Sequence, residues 1–327
     1  MRNLEITRTL RLSLLVALLA VIAGCTAAVP PPPRMTAPEP APQVPLNTIL
    51  SAVAKAPSLR TLPADLTPSL ATSGQDYGFD NEKCEAGPRA DRIEPCVFGD
   101  RASATDVVLY GDSHAGMWLP AMTQIADRLH WRLQFFGKPG CPALAVTVWN
   151  QQEDRVFDEC DRFRDFVAGR IAATAPELVV VTNESFSQKR GRGQLITPDE
   201  WRTGLGRTLR DLHRSAGTVV VLGNTPVLDA SAPECLAANQ DDVRACSTSR
   251  KVATARVWNA ADEAAAEATG SGYIPVLPWL CTQTCPAVIG NVTVYRNRFH
   301  LSGTYSRMLN GVLEEALLER FPSNAVP

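Results

Sequence analysis

Three short runs, 106–110 (DVVLY), Leu178–Thr182 (LVVVT) and Thr218–Leu222 (TVVVL), constrain the fold of this chain more than any other feature. Each is rich in β-branched residues and almost wholly apolar, so each reads as a strand buried on both faces. Two weaker runs, 132–136 and 273–277, fit the same role. Between and after them lie stretches of helical pattern: 116–130, 155–173, a helix from Pro198 behind the capping residue Thr197, 250–269 and 302–319. Alternation of this kind predicts an α/β fold, a three-layer α/β/α sandwich around a mostly parallel five-stranded sheet. Ligands of such sheets gather at the carboxyl ends of the strands. The residues standing there are therefore the first to inspect.

After the first strand comes Gly111-Asp112-Ser113-His114, a small-residue turn that opens a helix. Such a turn exposes a hydroxyl above the sheet edge, and the helix aims backbone N–H groups at charge forming beside it. Gly111-Asp112-Ser113 alone would also make an ordinary turn and N-cap. Near the far end, Asn297-Arg298-Phe299-His300-Leu301-Ser302 precedes the last helix. A serine becomes a useful nucleophile when an adjacent base accepts its proton, and His300 is the matching base. His130 and His213 fall within predicted helices and are read as non-catalytic.

The first residues fix an expected compartment. Arg2, Arg8 and Arg11 precede an apolar run, 12–23, that is short for a membrane span and suited to a signal peptide. The run ends in Ile22-Ala23-Gly24-Cys25, which resembles a bacterial lipobox, in which the signal is cut before a lipid-bearing cysteine. The expected organisation is a signal peptide over 1–24, a Pro- and Ala-rich tether with an ambiguous lead-in over 25–73, and one catalytic domain over 74–327. The mature chain is expected outside the cytoplasm, joined to the bacterial cell membrane through its lipid at Cys25 alone.

Cysteine usage agrees with export. Beyond Cys25 the chain has eight cysteines, which allow 105 pairings. They fall into four sequence-local couples: Cys84 with Cys96, Cys141 with Cys160, Cys235 with Cys246, and Cys281 with Cys285. Metal binding competes as a reading, but the chain has four histidines and none sits near a cysteine couple at zinc-finger spacing. Lys plus Arg number 32 against 34 Asp plus Glu, with no basic run, which argues against nucleic acid as a partner.

The block 108–115 (VLYGDSHA) and His300-Leu301-Ser302 resemble the first and last motifs of the SGNH, or GDSL-like, hydrolase superfamily. The likeness is greatest to SGNH domains fused behind type-3 acyltransferase membrane proteins, with a cysteine couple before the first strand and a Gly140-Cys141-Pro142 turn. The resemblance implies Ser113 as nucleophile, His300 as base, and an oxyanion hole from the Ser113 N–H, the Gly140 N–H and the Asn183 side chain. At the last position the chain reads Thr182-Asn183-Glu184, unlike the superfamily's Gly-x-Asn-Asp. His114 belongs to the motif and is assigned local structure or substrate contact.

The main departure is at position 297, where the superfamily's acid is replaced by Asn297. An acid holds the imidazole tautomer and stabilises the imidazolium, and a neutral amide does the second poorly. A dyad oriented by a backbone carbonyl, an acid from elsewhere, and a weakened enzyme are three open explanations. The expected function is an extracytoplasmic O-acyltransferase or O-acyl esterase on a cell-envelope glycan, without cofactor or metal. A glycan, an acyl donor and a membrane acyltransferase are its expected partners. A catalytically weak glycan-binding lipoprotein that keeps the fold is the alternative.

Overall fold

A computed structural model describes residues 43–253 and 256–321. The expected signal peptide, the lipid-bearing Cys25 and most of the Pro-rich tether lie outside the described residues.

Six strands form one sheet: β1 (Cys96–Gly99), β2 (Asp106–Gly111), β3 (Arg132–Gly137), β4 (Leu178–Thr182), β5 (Thr218–Leu222) and β6 (Gly272–Ile274). Their order is β1-β3-β2-β4-β5-β6. β2 to β6 run parallel and are the five strands expected, with the last trimmed because Leu277 opens a 3₁₀ turn. β1 is the addition, a short antiparallel edge strand on β3. Register at the amino ends of β2 and β3 is pinned by Arg132, whose guanidinium forks onto the Asp106 carboxylate directly opposite.

Period-two alternation sends neighbouring strand residues to opposite faces. Val107, Leu109, Leu133, Phe135, Val180 and Leu222 enter one core. It is roofed by helices α1 (Leu46–Lys55), α2 (Ser113–Arg128), α6 (Gly303–Met308) and α7 (Asn310–Leu318). Val108, Tyr110, Phe136, Val179, Val181 and Val219 enter the other. There α3 (Asp158–Thr174), α4 (Pro198–Leu212) and α5 (Arg256–Glu267) supply Phe163, Trp201 and Ala265. The three layers follow from strands that are apolar on both sides. Helix α4 begins as its sequence predicts: Thr197 caps the Glu200 N–H, and the Glu200 carboxylate accepts the Thr197 N–H in return.

Two boundaries move. The lead-in over 47–73 belongs to the compact body, because Ile49 and Val53 of α1 are buried in the first core, so the domain begins before residue 74. His130 lies just past α2 in a left-handed conformation, and His213 caps the end of α4, so neither is inside a helix. Four disulfides join Cys84 to Cys96, Cys141 to Cys160, Cys235 to Cys246 and Cys281 to Cys285.

Candidate active site

The strand order changes direction around β2, with β3 on one side and β4 on the other. A crevice opens outside the carboxyl ends of strands at such a switch point. Ser113 stands there as the first residue of α2, and Asp112 caps the helix by accepting the His114 N–H at 2.8 Å. The second Asp112 oxygen accepts the Glu184 N–H at 2.9 Å, tying the end of β2 to the turn after β4. Asp112 is fully buried, and burial holds its carboxyl well above the usual carboxylate range.

His300 comes from the loop before α6, and its Nε2 lies 2.8 Å from Ser113 Oγ. Asn297 contacts the other ring nitrogen, with Nδ2 3.0 Å from Nδ1. The orientation of that amide is set by the backbone: Oδ1 accepts the N–H groups of Phe299 at 3.0 Å and His300 at 2.9 Å. The amide therefore turns its N–H₂ toward Nδ1, and Nδ1 accepts. A neutral imidazole that accepts at Nδ1 carries its proton on Nε2. In this arrangement Nε2–H donates to Ser113 Oγ, the reverse of what a base requires. Burial, then the neighbouring His114 and Arg296, push the His300 pKa down to about 2, so the ring stays neutral.

The remaining expected residues fall as follows. Gly140 adopts a left-handed backbone (φ 70°) after β3 and lines the same cavity as Ser113. Asn183 stands at the end of β4, and its Oδ1 accepts the Ala143 N–H at 2.7 Å, joining the Gly140 loop to β4. Its amide hydrogens find no acceptor among the described residues. His114 is fully buried, with its ring 5.3 Å from that of His300 and no partner for either nitrogen among the described residues. Burial suits a structural role for His114 and keeps it from the cavity.

The cavity is about 510 Å³ and is walled by Trp149, Asn150, Gln151, Gln152, Phe157 and Gln188 opposite Ser113. Sequence reading missed its acidic side. Glu184 lines it, with its carboxylate held by Ser187 and Gln188, and burial raises its pKa. Glu85, next to the Cys84–Cys96 bond, lines it too. Lys138 is also unforeseen: the fully buried Nζ donates to the carbonyls of Gly87, Pro88 and Ala90, at 2.6, 3.1 and 2.8 Å. Burial lowers its pKa to about 8. Among the described residues no group of three or more His, Cys, Asp or Glu is placed to hold a metal ion.

A serine hydroxyl against an imidazole, beside the free N–H groups of a helix start and a glycine turn, can form and hold an ester. The periplasmic domain of a lipopolysaccharide acetyltransferase from Salmonella ser. Paratyphi A is similar in fold, with 15% identity and a TM-score of 0.56 over 76% of this chain and 99% of that one. An acetylxylan esterase from Geobacillus stearothermophilus (13% identity, TM-score 0.38, 70% of this chain and 98% of that one) is more distant. So is a GDSL-like lipase from Bacteroides thetaiotaomicron (13%, 0.38, 66% and 88%). No curated protein matches the sequence. The family model described as SGNH domain (fused to AT3 domains) matches residues 81–315, and on that span, with a sheet whose switch point carries Ser113, the chain belongs to the SGNH domain family.

Proposed function

We propose that this protein is an extracytoplasmic O-acyltransferase or O-acyl esterase acting on a cell-envelope glycan, with Ser113 as nucleophile and His300 as its base. The observation that carries this reading is the 2.8 Å contact between Ser113 Oγ and His300 Nε2 at the wall of the cavity. Aromatic and amide side chains in that wall suit a sugar, with ring faces for stacking and amides for hydroxyl groups. Family membership and the acetyltransferase named among the similar folds support acyl chemistry on carbohydrate. The four disulfides support an oxidising compartment, and we assign Cys25 as the lipid attachment that keeps the enzyme at the bacterial membrane, near a membrane acyltransferase.

Ser113 attacks the donor ester, the oxyanion is received by the N–H groups of Ser113 and Gly140 and the Asn183 amide, and water or a sugar hydroxyl then resolves the acyl-enzyme. For His300 to accept the serine proton, its own proton must sit on Nδ1, and the Asn297 amide must give up its two backbone bonds to turn an oxygen toward it. We therefore expect slow acylation. The same geometry favours, as a second reading, a glycan-binding protein of little turnover. Incubation with an activated acetyl ester, followed by intact and peptide mass spectrometry with and without a glycan acceptor, separates them. Acetyl on Ser113, lost in Ser113→Ala and discharged by the acceptor, is the expected result. An unlabelled wild type supports the binding protein.

A further inference from the structure

Glu85 has no role in the scheme above, yet its position is heavily specified. The backbone on its amino side is fixed by the Cys84–Cys96 bond, and on its carboxyl side the Ala86 N–H donates to the Gly137 carbonyl at 2.8 Å. Its side chain crosses to the first turn of α2, where Gly116 leaves room for it; a methyl there would collide with Glu85 Oε1. Cβ positions three residues apart on a helix are about 5–6 Å apart, so this carboxyl lies within about 9 Å of Ser113 Cβ. Among the described residues the carboxylate accepts no hydrogen bond and makes no ion pair. A charge-bearing group that is built in and, among the described residues, has neither a hydrogen-bond nor an ion-pair partner, in the wall of the same cavity as Ser113, is oriented for something that enters the cavity.

Ser113 and Glu85 line the same cavity, so a hydroxyl that enters it can approach both. A hydroxyl about 3 Å from an acyl carbon on Oγ is in attack position, and its proton then needs an acceptor. His300 serves this hydroxyl poorly, because its Nε2 already carries a proton in the orientation that Asn297 imposes. We propose that Glu85 is the group that takes the proton from the hydroxyl that resolves the Ser113 acyl-enzyme, a step that rests on the acyl-enzyme reading above. As the incoming oxygen bonds to the acyl carbon, its proton passes to the Glu85 carboxylate. The Asn297 amide regains its backbone bonds in the acyl-enzyme, so His300 returns to the Nε2–H tautomer. When the bond from the acyl carbon to Oγ breaks, Nε2–H donates a hydrogen bond to the departing Oγ and keeps its proton. Glu85 returns the proton to Oγ through a water, so no net proton is consumed. Burial raises the Glu85 pKa to about 7, against the pull of Arg296. Arg296 and the buried Asp112 are the charged groups that face it. A carboxyl poised there both accepts and returns a proton near neutral pH.

The test uses the whole protein and p-nitrophenyl acetate, whose burst reports acylation and whose slow phase reports resolution. Glu85→Gln should lower the slow phase about 100-fold, far more than the burst, and acetyl-Ser113 should accumulate. Hydroxylamine, a nucleophile that needs little help in losing its proton, should shorten the acetyl-enzyme lifetime toward that of the wild type. Glu85→Asp should retain part of the rate. A slow phase within about threefold of wild type refutes the proposal, as does a loss shared by Glu85→Asp and untouched by hydroxylamine, which marks a structural role. Where Glu85→Gln fails to fold, Glu85→Asp bears the same comparison through its hydroxylamine response. A wild type that shows no acetyl on Ser113 overturns the underlying reading before any Glu85 variant is compared.

Discussion

Replacing Asn297 with Asp should convert the site into a base-competent triad. Either carboxylate oxygen can keep the Phe299 and His300 N–H bonds, and the second then occupies the place of Nδ2, 3.0 Å from His300 Nδ1. An acceptor there draws the ring proton onto Nδ1 and frees Nε2 to take the serine proton. Two unit charges centred about 4 Å apart interact by about 4 kcal/mol at a dielectric of about 20. An attraction of that size favours the imidazolium and lifts the His300 pKa from its depressed value of about 2. The wrong tautomer costs a serine protease about 10⁴ in kcat, which sets the ceiling for the gain in Asn297→Asp. The assay is the pH–rate profile on one activated ester. The variant should be faster at neutral pH, with a rising limb displaced to higher pH because a ring of raised pKa must lose its proton before it serves as base. No gain at any pH, with melting unchanged, refutes the tautomer argument. A loss would show that the Asn297 amide itself serves the reaction.

Ile49→Ala on α1 should cost about 2–5 kcal/mol in urea denaturation, against less than about 0.5 for Leu50→Ala, because Ile49 is buried while Leu50 is 39% exposed. Equal small effects would detach the lead-in from the domain. Serines at both Cys84 and Cys96 should lower stability by about 3 kcal/mol, read as the shift between oxidised and variant denaturation curves. The Asp262 carboxyl, pushed up to about 7 by burial while accepting from Trp201 Nε1 and Asn224 Nδ2, favours its protonated form in the fold. Its contribution is full below pH ~4 and lost as pH rises through about 7, and Asp262→Asn should flatten stability across that window. Cys25→Ala should release the protein from membrane fractions or leave its signal uncut; normal processing with retained membrane binding would refute the lipid assignment.

The parallel sheet was legible because residues such as Val179 to Val181 are apolar in succession, a pattern with no other comfortable home. The edge strand β1 was not, since all four of its residues are partly exposed and carry no period. Helix α1 buries few residues of an otherwise solvated stretch, so its membership of the core was hidden. Ser113 and His300 were readable from motif and position, and their contact unites residues far apart in the chain. The Asn297 substitution was readable as well, but its consequence needed the backbone N–H groups of Phe299 and His300 that orient the amide. Glu85 was invisible because its place depends on a side chain that Gly116 lacks.

The buried Lys138 also sets how the cavity can breathe. To swing residues 87–90 outward, the protein must break three bonds to one cation and leave that cation in an apolar site beside Phe157. The wall opposite is different: residues 149–152 belong to, and Ser187–Gln188 lead into, two short two-stranded ribbons, Trp149–Asn150 with Arg155–Val156 and Lys189–Gly191 with Gln194–Leu195. Ribbons of that size are marginal by themselves. Amide exchange should therefore be fast in them and slow at Ala86, Ala90 and Cys141, whose N–H groups are engaged on the lysine side. On the function proposed above, a glycan would enter on the ribbon side and come to rest against the lysine-braced wall, so that the acyl carbon would meet Ser113 in a repeatable register.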